Sequence, residues 1–94
     1  MIVTIYRLSG SDALCWRCFD DEMVVFDDRS GDTHGLDPLA AQIFEYLLDH
    51  PATRDEITRR ICAAEGATSS EYDTVIASAL EELRKIGLLA PSSA

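Results

Sequence analysis

The segment Leu14 to Phe19 reads LCWRCF and carries two thiols in C-x-x-C spacing. That spacing suits a redox dithiol or half of a metal site, provided the backbone turns between the two sulfurs. The segment lies between two turn clusters and is set to pair with the apolar run that follows it. In an extended strand, residues three apart project to opposite faces. Their Cα atoms then lie about 10 Å apart, beyond the roughly 7 Å reach of a disulfide. A zinc site would need Cys62, His34 or His50 as further ligands, and there is no second C-x-x-C and no H-x₃-H. We therefore expect two strand residues, with Cys18 turned inward beside Leu14 and Trp16 or the reverse. No metal and no cofactor are expected.

The segment SGDTHGLDP places Asp32, His34 and Asp37 close together in sequence. An Asp–His pair could serve a nucleophile, but there is no nucleophile elbow and no phosphate loop to go with it. The simpler reading gives Asp32 to a turn, His34 to a short strand and Asp37 to a helix cap. No catalytic residue is expected, and the chain is read as a non-enzyme. Asp20-Asp21-Glu22 and Asp27-Asp28 read as solvated turns without calcium-loop spacing. Glu81-Glu82 reads as the wet face of a helix.

The 94 residues suit one small domain, 1–94, with 47% apolar residues. Eight basic residues stand against 17 acidic ones, for a net charge of −9. A nucleic-acid binder needs an electropositive face to displace counterions, and an anionic membrane asks for the same. No nucleic-acid or membrane partner is expected. The apolar runs are too short to span a bilayer, and MIVTIYRLSG lacks the pattern of a signal peptide. With three cysteines and no export signal, a cytoplasmic location is expected.

These residues need elements to position them. Ile2 to Leu8 is rich in β-branched residues and reads as an extra strand, so residues 1–12 form an N-terminal strand and turn. Ala13 to Phe19, Met23 to Asp27 and Thr33 to Leu36 read as an antiparallel meander with Gly31 in its second turn. The period then changes. Asp37-Pro38 opens a helix with Leu39, Ala40, Ile43, Phe44, Leu47 and Leu48 on its apolar side. Thr53 and Glu56 form a capping box for a second helix, with a stripe of Ile57, Ile61, Cys62 and Ala64 ending at Gly66. Ser70 with Asp73 caps a third, whose apolar side runs from Tyr72 through Val75, Ile76, Ala79, Leu80 and Leu83 to Ile86. Gly87 stops it, and Leu88-Leu89 pair with or plug the core. Residues 91–94 read as a loose tail. Strands segregated before helices mean an α+β fold, here of winged helix-turn-helix type with three to four strands and three helices.

In a winged helix the third helix reads DNA. Here it carries Glu71, Asp73, Glu81 and Glu82 against Arg84 and Lys85, so phosphate would repel it. What remains is an edge strand, Thr33 to Leu36, running beside that helix. An unpaired strand edge next to small and apolar side chains meets the requirement for adding a peptide as a further strand. The same groove could be filled by Ile2 to Leu8 or by a second copy of the chain.

The segment WRCFDDEMVVFDDRSGDTHGLDPLAAQIFEYL, with EITRRI and LEELRKIGLL, resembles PqqD-type proteins, the small peptide chaperones also called RiPP recognition elements. SGDTHGLDPLAAQIFEYL is most similar to the branch associated with an HPr-kinase-related protein. Leu36-Asp37 stand where the family has Leu-Asn. Ala40, Ala41 and Ile43 stand in its small-small-x-Ile run, and Glu56-Ile57 at its Glu-Ile. Leu80, Leu83 and Gly87-Leu88 match its closing pattern. The resemblance implies a three-stranded sheet followed by three helices, with a precursor's leader peptide bound along the third strand and third helix. It also implies docking on a modifying enzyme, or on the HPr-kinase-related protein itself.

The expected function is therefore a non-catalytic adaptor for natural-product biosynthesis. Thr33, His34 and Gly35 would offer backbone groups, with Leu36 beside them. Tyr72, Val75 and Ala79 would line the apolar wall, and Arg84 and Lys85 are read as a solvated face. The alternatives are a winged-helix regulator and a structural subunit that homodimerises through its edge strand.

Overall fold

Between Leu14 and Leu36, strand-forming runs rich in β-branched and aromatic residues are broken by two polar turns, so the segment folds back on itself twice. The computed structural model describes residues 4–66, 69–90 and 92–93. Its elements run β1 (Thr4–Tyr6), a 3-10 turn (Ser11–Ala13), β2 (Leu14–Phe19), β3 (Glu22–Asp27), β4 (Asp32–Leu36), α1 (Pro38–Asp49), β5 (Ala52–Thr53), α2 (Arg54–Glu65), α3 (Ser69–Lys85) and β6 (Ser92–Ser93). This is the expected α+β order of a β-meander followed by three helices.

The meander has strand order β2-β3-β4, all antiparallel. Asp20 takes φ 57° in the first turn, a left-handed position that Asp tolerates better than most residues. In the second turn the Gly31 N–H donates to the Asp27 carbonyl at 2.8 Å, with φ 77° at Gly31. Alternation sends Leu14, Met23, Val25 and Leu36 inward, where they join one buried cluster with Ile43, Phe44 and Leu47 of α1 and Ile76, Leu80 and Leu83 of α3. Trp16 meets Phe44 edge-on, with ring centroids 5.6 Å apart.

The helix ends follow their local signals. Asp37 accepts from the Ala40 N–H at 2.9 Å, with Pro38 in the first turn. The Thr53–Glu56 capping box is present in both directions, and Gly66 closes α2 at φ 70°. Gly87, at φ 85°, ends α3, and the Leu88 N–H donates back to the Leu83 carbonyl at 3.0 Å. Helix α3 begins at Ser69, so Ser70 lies in its first turn and not ahead of it. On α2 the buried stripe takes Thr58 in place of Ala64, which is exposed. Thr58 sits next to Ile57 on the packed side, and Ala64 lies exposed near the end of α2.

The N-terminal strand is not part of the meander. β1 lies between β5 and β6, pairing Tyr6 with Ala52 and Thr4 with Ser93. Ile2 and Val3 of the expected strand lie outside the described residues. Leu8 forms a bridge to Leu89, and the Ala90 N–H donates to the Arg7 carbonyl at 2.9 Å. Leu88 and Leu89 are buried, so they both pair and plug. Burying them carries the following chain antiparallel to β1, which is why Ser92 and Ser93 form a strand where a loose tail was expected. Pro91 and Ala94 lie outside the described residues. Among the described residues no helix is long and apolar enough to cross a membrane.

Candidate functional site

The hydrogen-bond phase of the meander decides what its last strand offers. The Asp28 N–H donates to the Ala13 carbonyl at 2.9 Å, toward β2. Backbone groups alternate sides along a strand, so Asp27, Val25 and Met23 turn theirs toward β4. Their register partners are Asp32, His34 and Leu36. The N–H and C=O groups of Thr33 and Gly35 therefore point away from β3, to the outer edge of β4. Among the described residues no strand pairs with that edge, since β1 sits in the other sheet. This corrects the expectation for His34. Its backbone groups are spent on β3, and what it has left to offer is its side chain.

Beside this edge runs a groove of about 430 Å³. Thr33, His34, Gly35 and Leu36 form one wall, and α3 forms the other through Ala79, Glu82, Leu83 and Ile86. Asp37 and Ala40, at the start of α1, close one end. A Cβ on Gly35 would meet nothing within 4 Å, so that position is open to solvent and not closely packed. Five of the seven expected residues thus meet in one place: Thr33, His34, Gly35, Leu36 and Ala79. Val75 and Tyr72 do not line the groove. Val75, 48% exposed, lies one helical turn before Ala79 and prolongs the same helix face. Tyr72 is half-buried against the core.

Glu82 is exposed, as its reading as wet face expects, and it also borders the groove. It sits three residues after Ala79, with Leu83 and Ile86 at four and seven, so the helical repeat counted from Ala79 points to all three. Asp37 and Ala40 carried no such signal, because their place depends on how α1 leaves β4. Ser78 is exposed and is not among the groove residues. Arg84 is ion-paired with Glu81, each about half exposed.

The polar groups here have distinct states. The Asp37 carboxylate is engaged as the α1 cap. His34 is partly buried, and its Nε2 is fully buried without a hydrogen-bond partner.

The two cysteines of β2 face opposite ways, as the strand reading required. Cys15 lies opposite Phe26, which is exposed on the outer face. Cys18 is on the side of Leu14 and Trp16, its Sγ 3.6 Å from Glu45 Oε1. Desolvation, and then the Glu45 carboxylate, push the Cys18 thiol above its ordinary range. A thiol held protonated in this way is a poor nucleophile.

A family model described as coenzyme PQQ synthesis protein D (PqqD) matches residues 22–89. A search of curated proteins finds no match. One similar solved structure is described as TbiB1 in complex with the TbiA(beta) leader peptide. It is 26% identical, covers 88% of this chain and 93% of that one, and has a TM-score of 0.73. Another is a lasso peptide synthetase B1 complexed with the leader peptide, 25% identical over 92% of this chain and 98% of that one, at a TM-score of 0.69.

Proposed function

The chain belongs to the PqqD family, and from that premise we propose that it binds the leader segment of a precursor peptide as an added strand on β4 and holds it for a modifying enzyme. The observation that carries this is the open edge of β4, with the groups of Thr33 and Gly35 unspent, next to a groove walled by α3. Main-chain bonds to Thr33 and Gly35 supply affinity, and the groove takes every second side chain of the guest. Leu36 and Ala79 give the groove apolar walls, and Val75 and Tyr72 prolong the helix face beyond it. The leader-peptide complexes of the two structural relatives support the same reading.

Binding is the whole contribution of this chain, and catalysis belongs to its partner. The resemblance in SGDTHGLDPLAAQIFEYL supplies the candidates for that partner, a modifying enzyme or an HPr-kinase-related protein. The setting proposed for this role is a reducing cytoplasm, which cysteines placed in strand and helix positions suit. The acidic charge speaks against DNA as the ligand, and a homodimer through β4 would compete with the guest for the same edge.

Amide hydrogen exchange tests the reading directly. The Thr33 and Gly35 amides should exchange fast in the free protein and become protected when a leader encoded near its gene is added. The His34 amide, already bonded to β3, should change little. Protection that appears elsewhere and leaves Thr33 and Gly35 untouched would refute strand addition at β4.

A further inference from the structure

We propose that His34 reads one side chain of the guest and selects a residue with a hydroxyl or amide at its tip. The inference rests on the strand-addition reading above and adds what the groove discriminates. Among the described residues, only two buried side-chain polar atoms lack a partner, His34 Nε2 and Thr58 Oγ1. Thr58 lies within α2, away from the groove, whereas His34 lines it. A buried polar atom without a partner is held at a cost that a new partner removes. The guest is the natural source of one.

The strand geometry says which guest residue this is. An antiparallel guest bonded to Thr33 and Gly35 sets its intervening residue opposite His34, in a pair without mutual backbone bonds. In such pairs the Cα atoms are about 4.5 Å apart and the side chains approach most closely. That guest side chain shares the inward face with His34 and passes between β4 and α3. Leu36, Leu83 and Ile86 surround its shaft with apolar surface. Rotation about χ2 of the imidazole is soft, so the ring can turn its unspent nitrogen to the tip. An aliphatic residue in this position leaves the nitrogen unpaired and is selected against.

The test uses a displayed library of random 12-residue peptides, selected in parallel on the wild-type protein, His34→Phe and His34→Gln. Wild type and His34→Gln should enrich hydroxyl- or amide-tipped residues at one aligned position, and His34→Phe should enrich apolar ones there. The best wild-type peptide should bind His34→Phe about two- to tenfold more weakly, the range of one net hydrogen bond. Replacing its tip residue by an apolar one should weaken wild type by a similar factor and leave His34→Phe unaffected. Melting of the free proteins controls for folding, with His34→Phe expected at or above wild type because an unpaired buried nitrogen is gone. Identical preferences in all three selections, or additive effects in the cycle, overturn the role of His34 and leave strand addition standing. No enrichment on any of the three overturns strand addition, and this inference with it.

Discussion

Arg29 forks onto Asp27, its Nε donating to Oδ1 at 3.0 Å and its Nη2 to Oδ2 at 2.9 Å. Asp27 is only 4% exposed, although Asp27-Asp28 reads in sequence as a solvated turn. The inward phase of β3 buries it, and the guanidinium makes the burial tolerable. Arg29 also reaches Ser9 Oγ at 3.1 Å and the Gly87 carbonyl at 3.4 Å. One side chain thus ties the meander to the N-terminal loop and to the end of α3.

This pair predicts an acid-sensitive step. Hydrogen bonds from Arg29 hold the Asp27 carboxyl below its ordinary value of 3.8, against desolvation that acts the other way. A depressed folded value stabilises the protein above the unfolded value, and that stability is lost as the pH falls through the folded one. Asp27→Asn should melt lower at neutral pH and lose less stability between pH 4 and the acid limit, a range that follows from this direction of shift. Melting curves of both proteins across that range check it, and parallel acid profiles would refute it.

The hydrogen-bond phase of β4 predicts opposite outcomes for neighbouring prolines. Gly35→Pro removes an amide that faces the free edge, so the fold should survive and guest affinity should fall about tenfold or more. His34→Pro removes an amide bonded to β3 and should destabilise the meander itself. Circular dichroism separates fold loss from binding loss, and titration calorimetry with a selected peptide measures the latter. Unchanged affinity for Gly35→Pro would put the guest in another register.

Filling the groove should abolish binding without unfolding the protein. Ala79→Trp projects an indole from α3 toward β4, into open space of about 430 Å³. The melting temperature should stay near wild type while guest affinity drops by about a hundredfold, since the apolar pocket is lost with its bonds. Normal binding would mean that the guest does not pass beneath α3.

Trp16 is the single tryptophan, and its contact with Phe44 makes it a reporter of how the meander packs on α1. Phe44 is fully buried, so Phe44→Ala should cost about 3–5 kcal/mol and shift the Trp16 emission. Urea unfolding followed by fluorescence reads both quantities at once.

Much of the framework was legible residue by residue. Asp37-Pro38, the Thr53–Glu56 box, Gly66 and Gly87 each act over one helical turn, so the chain itself announces where α1 begins, how α2 begins and ends, and where α3 stops. Met23 to Asp27 reads as a strand, but its unbroken apolar run does not show which residues turn inward. Nor does it reveal that the inward phase extends to Asp27, because the partner that permits this, Arg29, sits in a loop of no fixed local geometry. In the same way Glu82 reads as solvent-exposed, and it is exposed, yet its neighbour across the gap is β4.

By itself, then, the sequence determined the order of the meander and the three helices, most of their ends, and a net charge of −9. Those properties arise from contacts within a few residues and from total charge. Only the tertiary structure decided that β1 pairs with β5 and β6 and leaves β4 open, that Thr33 and Gly35 rather than His34 present free backbone groups, and that Ala79 faces them. Each of these depends on which distant segment arrives alongside, and on the phase in which it bonds, which no local pattern encodes.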